Sequence, residues 1–443
     1  MQANKNRSIP LPRRSHATLL SALLASALLA ACGGGVDSDE APDKHENTTI
    51  DTAGRLALTE NNAKTLRLFD LDSGTTEASH VLDNVPSAIY ASPNGRYAVA
   101  MQRLQDQVQF VDAGIWQEDH GDHLHDYKQA SKPVAWKLSG SRPTHYDLQA
   151  GKQAAFFMDG DSTATPAKNA GVRLISDASI ASGGTLAALD LSAPIHGLGE
   201  PVDNKLLVVS RAADAPDALP THLNLYQREG ATYRLDRQVP TRCNGMHGSF
   251  SAGAYTVAGC LDGMLLVKHL SATAVSDGQK LLTPLRVGTI AGHARLGGHF
   301  IGVATEGAAP GVVTTRFYAV DGDAGTVSSF TPQGWMDGRV RRAHGFDRSG
   351  TRFALLDDQG TLILSQHQNK AWSPLARVAG VIPSMPTAAP WPAIVANGAK
   401  DELYITDPQA RQLVVLDSST GAVKSRRNLD FVPSGLAWLG ITR

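Results

Sequence analysis

Cysteine is scarce in this chain: 443 residues hold three, at positions 32, 243 and 260. A cysteine-based metal site needs more thiols than that. An excess of positive charge is also missing, because 41 Lys and Arg face 42 Asp and Glu. Nothing there neutralises a phosphate backbone, which excludes nucleic acid as the partner. Long apolar windows of helical period are lacking, and the hydrophobic residues, 42% of the chain, come in short runs. That share fills a core and excludes a disordered chain, and the short runs read as all-β. The 42 Gly and 23 Pro call for many tight turns. No nucleophile elbow, phosphate loop or nicotinamide fingerprint is present, nor a Met or Cys arrangement for electron-transfer copper. The chain is therefore read as not an enzyme.

The N-terminus has the one distinctly apolar run. Lys5, Arg7, Arg13 and Arg14 precede a stretch from Ala17 to Ala31, which ends Leu29-Ala30-Ala31-Cys32-Gly33. A basic start, a core too short to span a bilayer comfortably and small residues ahead of a cysteine make a secretory signal. It resembles a bacterial lipoprotein signal, by which residues 1–31 are removed and Cys32 is lipidated. No motif flanks Arg13-Arg14 to support twin-arginine export. Residues 32–48, acidic through Asp37, Asp39, Glu40, Asp43 and Glu46, read as a flexible tether, and residues 49–443 as the fold. This places the chain in the periplasm, anchored to a bacterial membrane through lipid. There the two remaining thiols, Cys243 and Cys260, argue for a disulfide worth roughly 3 kcal/mol.

Self-similarity runs through the rest. Segments led by Ile89, His145, His196, His247, His293, His344 and Pro392 each read as an extended stretch, a Gly-containing turn and a more hydrophobic stretch. Their spacings of 56, 51, 51, 46, 51 and 48 residues suit a four-stranded propeller blade with its loops. Val432-PSGLAWLG looks like the first strand of a further unit. Its remaining strands are at the front, Arg55-LALTENN and Thr65-LRLFDLDSG. Pairing the two ends in one blade removes the sheet edges. The expectation is a single β-propeller of eight four-stranded blades, or seven if one weak unit is an insertion.

Five successive units place a histidine, at 145, 196, 247, 293 and 344, beside the strand expected to line the central channel. Equivalent positions in a propeller form a ring, and a ring of imidazoles is a metal environment. The densest ligand tract is Trp116-Gln-Glu-Asp-His-Gly-Asp-His-Leu-His-Asp-Tyr127. Here His120, His123 and His125, with Asp122 to complete or tune the shell, suit Zn²⁺, which takes His nitrogen and carboxylate oxygen. Cu²⁺ binds such donors more tightly, so affinity alone does not name the metal. In standard blade connectivity this loop joins the third and fourth strands and emerges opposite the starts of the innermost strands. Either it folds into the channel, or there are two sites. The tract is expected to hold one tight zinc ion, with His145 the first ring residue to join it.

Glu118-Asp-His-Gly-Asp-His123, Arg142-Pro-Thr-His145, Cys243-Asn-Gly-Met-His247-Gly and Gly259-Cys-Leu-Asp-Gly263 together resemble the periplasmic zinc metallochaperones of AztD type. The resemblance covers nearly the whole mature chain, and the EDHGDH tract is its specific part. It implies a propeller that hands zinc to the solute-binding protein of a zinc ABC importer. By it, His120, Asp122, His123, His125, His145, His196 and His247 are zinc ligands, and Cys243–Cys260 is the structural disulfide. The lipid anchor departs from the family's soluble pattern. Two other functions share these residues: a lipid-anchored interaction propeller with incidental histidines, and a propeller enzyme using copper or zinc.

Overall fold

The computed structural model describes residues 47–443. The signal, Cys32 and most of the tether lie outside the described residues. Among these, eight four-stranded antiparallel sheets follow one another, with one additional two-stranded sheet. The expected eight-bladed propeller is what the chain forms.

The first blade is the composite one. Pro433–Leu439 pairs antiparallel with Arg55–Glu60, from Arg55 opposite Leu439 to Leu58 opposite Leu436, and Thr65–Asp70 and Thr75–Val81 complete it. The innermost strands of blades two to eight are Ala88–Ala91, Pro143–Gln149, Gly199–Val202, Ser249–Ala252, Val287–Ala291, Arg341–Phe346 and Ile394–Ala396. Each blade then steps outward in chain order.

The sequence of each strand follows its depth in the blade. Second strands, such as Tyr97–Gln102 (YAVAMQ), Gln153–Met158 (QAAFFM) and Tyr255–Cys260 (YTVAGC), are buried at every position because neighbouring blades cover both faces. Outermost strands such as Thr232–Gln238 (TYRLDRQ) have no buried residue and face water. This gradient explains why the chain shows short hydrophobic runs separated by polar ones, rather than uniform alternation.

The period is not uniform, and two histidines fall out of it. Blade five is short, so the innermost strand of blade six begins at Val287 and His293 lies beyond its end. There its ring accepts the Arg295 N–H at 3.1 Å, at the head of a short 3-10 turn. His344 lies inside its strand, one position out of step with His145: Pro143 faces Met158 and His145 faces Phe157, whereas Arg341 faces Asp357 and Ala343 faces Leu356. The expected ring of five is thus a cluster of three.

Candidate metal centre

His145 stands in the innermost strand of blade three, while His196 and His247 sit just ahead of those of blades four and five. All three are half-buried at one mouth of the channel. Their ring centroids are 5.1, 5.4 and 5.5 Å apart, and one ligand nitrogen from each lies within 4.8 Å of the others. His145 Nε2 and His196 Nε2 are 3.5 Å apart. Two nitrogens bound tetrahedrally to one zinc at 2.0–2.1 Å stand roughly 3.3 Å apart, so this spacing suits a shared ion.

The rings are oriented from behind. His196 Nδ1 lies 2.9 Å from Asp159 Oδ2, and His247 Nδ1 lies 2.9 Å from the Gly288 carbonyl. Each Nδ1–H donates to its oxygen, which leaves Nε2 with a lone pair; a carboxylate or carbonyl behind a histidine is the usual support of a metal ligand. Asp159 itself is nearly buried and also pairs with Arg103 Nη2 at 2.9 Å. Burial alone would raise its pKa, but the His196 hydrogen bond, Thr144 and Arg103 outweigh it and hold it below the usual carboxylate range. Among the described residues its buried Oδ1 has no hydrogen-bond partner, an acceptor that a cation would satisfy. Burial, then the neighbouring His196 and His247, push His145 down to about 4, so its lone pair carries no proton at neutral pH.

Local covalent structure fixes His247. Cys243 and Cys260 are joined by a disulfide across 17 positions, with Cα atoms 5.1 Å apart. The His247 N–H donates to the Gly259 carbonyl at 3.1 Å, so the bridge clamps the turn carrying the ring against the end of the second strand. Further along the innermost strands, Glu200 is buried and Asp147 half-buried, and burial pushes both carboxyls upward. The donors that converge at this mouth are the imidazoles.

The His120–His125 tract forms the tip of a hairpin, Ile115–Asp119 with Leu124–Lys128, inserted between the third and fourth strands of blade two. The segment read from sequence as a loop is a paired hairpin, and it is anchored. Trp116 stacks on Tyr127 at 4.7 Å, and the Arg96 guanidinium lies 4.0 Å over Trp116. Asp126 accepts from Ile50 N–H at 2.9 Å and pairs with Arg443. Thr48 N–H donates to the Leu124 carbonyl at 2.9 Å, so the end of the expected tether lies along the hairpin. Gly121 has φ +92°, which lets the tip turn back so that the His120 N–H meets the His123 carbonyl at 2.9 Å. The three rings gather, with centroids 4.6, 4.8 and 5.1 Å apart. Asp122 Oδ1 lies 2.5 Å from His123 Nδ1, and Glu118 Oε2 lies 3.7 Å from His120 Nε2.

Topology separates the two clusters. The hairpin leaves from Asp112, which pairs with Tyr97 at the start of the second strand. His145 instead pairs with Phe157 near the end of a second strand. The hairpin also lies with Ala150 and Gly151, in the turn that follows the strand carrying His145. The two histidine groups therefore stand at opposite faces of the propeller, and the expected joining of His145 to the hairpin site does not occur. Sequence reading missed Asp159 and Arg103; an Asp closing a hydrophobic strand (Phe157-Met-Asp159) is a faint signal, since such residues more often cap turns.

No family model matches the chain. It is 26% identical over 225 residues to the zinc chaperone AztD of Citrobacter koseri, an alignment covering 51% of this chain and 50% of that relative. The matched region thus spans about half the length of the relative. The crystal structure of Citrobacter koseri AztD superposes with a TM-score of 0.68 at 20% identity, covering 88% of this chain and 99% of that one. Its apo form gives 0.69, with 88% and 98% covered. The dihydro-heme d1 dehydrogenase NirN superposes with a TM-score of 0.54 at 10% identity, over 88% of this chain and 76% of that one. These solved structures share the fold. The relative matched in sequence is named as a chaperone and not as an enzyme. Among the described residues no helix is long and apolar enough to cross a membrane.

Proposed function

We propose that this chain is a periplasmic zinc metallochaperone, tethered by lipid at Cys32, that passes Zn²⁺ to the solute-binding protein of a zinc ABC importer. The observation that carries the reading is the His145–His196–His247 triad, whose ligand nitrogens converge and whose rings are oriented from behind by Asp159 and the Gly288 carbonyl. The 26% identity to a protein named as a zinc chaperone supports the choice of metal and role.

Zinc is the cargo. The triad offers three imidazole donors at a channel mouth, and a d¹⁰ ion without geometric preference exchanges ligands there at low cost. The hairpin, with His120, Asp122, His123 and His125, is the second zinc site; the His120 side chain is 40% exposed, within reach of another protein's ligands. The test is transfer. Zinc-loaded protein is mixed with the apo solute-binding protein of the same genome, and the transfer rate is compared with release to excess chelator. Transfer that speeds up with acceptor concentration and exceeds spontaneous release is expected. A rate equal to release, independent of acceptor, would refute delivery and leave a zinc store.

A further inference from the structure

The support behind His196 is shared with a cation. Arg103 begins the short 3-10 turn Arg103–Gln105, which follows the second strand of blade two, Tyr97–Gln102. From there its side chain reaches blade three: Nη2 lies 2.9 Å from Asp159 Oδ2, and Nη1 donates to the Arg142 carbonyl at 3.1 Å. His196 Nδ1 approaches the same Oδ2, also at 2.9 Å, while Oδ1, among the described residues, takes no hydrogen bond. Blade two, blade three and the lead-in to blade four thus form one line, guanidinium to carboxylate to imidazole. Its far end is His196 Nε2, 3.5 Å from His145 Nε2.

Charge decides what this line does. A carboxylate behind a zinc-binding histidine makes the ring a stronger ligand. Here one carboxylate oxygen serves two donors, and one of them is a guanidinium that stays protonated at any working pH. Asp159 and Arg103 together carry no net charge, so this pair brings the dication no compensating anion. The Arg103 side chain is only 32% exposed, so water screens its charge in part. Burial is the first cause of the low His145 pKa; Asp159 opposes the fall, and the Arg103 charge adds to it. A field that opposes one proton at that lone pair opposes a zinc ion, with twice the charge, still more.

We propose that Arg103, acting on the triad through Asp159 and by its own charge, holds the zinc affinity down so that the site gives up its cargo; this rests on the triad being the zinc site. Affinity is measured by chelator competition, and release by the rate of zinc loss to excess chelator. Both are read in the His120→Ala, His123→Ala, His125→Ala background, so that the triad alone reports. Arg103→Met tightens binding about tenfold, the lower end of what a partner behind a ligand carries, and slows release by a similar factor. Arg103→Lys keeps the charge beside Asp159 and stays within about threefold of its background. Without metal, Arg103→Met unfolds earlier, because a nearly buried carboxylate loses its ion pair. A merely structural residue would lose zinc affinity together with stability, whereas here the two move in opposite directions. If Arg103→Met does not fold, Arg103→Gln removes the charge while keeping a donor for Asp159, and the same tightening is expected. Equal or weaker affinity in the folded neutral variant overturns the proposal, as does tightening of the same size in Arg103→Lys. His196→Ala in the same background separates this proposal from the reading of the site. If it abolishes tight zinc binding while Arg103→Met changes nothing, the triad stands and the part given to Arg103 falls; if it leaves binding unchanged, both fall.

Discussion

Replacing Asp159 by Asn probes the support behind the triad with almost no change of shape. Asp159 is 8% exposed and holds both His196 Nδ1 and Arg103 Nη2 at 2.9 Å through Oδ2. An amide in its place still offers one oxygen, but the hydrogen bond to His196 loses its charge. Charge-assisted bonds are worth about twice neutral ones, so roughly 1 kcal/mol of orientation disappears. The imidazole also becomes less basic toward a metal, and such outer partners typically carry 10- to 100-fold in affinity. The expected weakening at the triad is therefore about 10- to 100-fold, or about 1.4 to 2.7 kcal/mol. The measurement is competition against a chelator of known affinity near neutral pH. It is made in a His120→Ala, His123→Ala, His125→Ala background, so that only the triad reports. Loss of the Arg103 pair lowers thermal stability as well, and the two effects are read separately. An Asp159→Asn protein within twofold of its background in zinc affinity would refute the supporting role. Unchanged affinity in His196→Ala would remove zinc from the triad altogether.

Further outcomes are expected. The triple hairpin variant should lose one zinc equivalent while the triad keeps its own, which metal analysis after gel filtration will show; loss of all zinc would mean a single shared site. Gly259→Ala places a Cβ 2.2 Å from the Val287 carbonyl and 2.7 Å from that of His247. It should cost about 2 kcal/mol or more in denaturant unfolding and weaken triad zinc with it. Replacing both Cys243 and Cys260 by Ala should cost about 3 kcal/mol, from the loop of 17 positions they close. Acid should destabilise the fold through its buried imidazoles. Burial, with Arg341, pushes His344 down to about 3, and burial, with Lys205, pushes His269 down to about 4. An unfolded histidine titrates near 6.5, so below that pH the unfolded chain binds more protons. The stability present above 6.5 should fall as pH drops toward 4 and then 3. The slope of urea midpoints against pH should flatten in His269→Gln.

Some of this was legible in the sequence alone. A repeat of about fifty residues, with short buried runs beside polar ones, determined the propeller, because each blade must bury its second strand and wet its fourth. The stray half-blades at the two ends determined the closure, since unpaired strand edges have to be matched. Ligand chemistry determined the metal candidates: imidazoles dense at 120–125 and recurrent near blade starts, in a chain almost without thiols. Tertiary structure decided how those residues group. A histidine displaced by one strand position turns to the other face, which removes His344, and a shortened blade moves His293 to the far end of its strand. Whether the hairpin reached the channel depended on strand direction, and antiparallel pairing sends it to the opposite face. Asp159 and the Gly288 carbonyl lie 37 and 41 residues from the rings they orient. Only the closing of the blades around the axis brings them within hydrogen-bond distance.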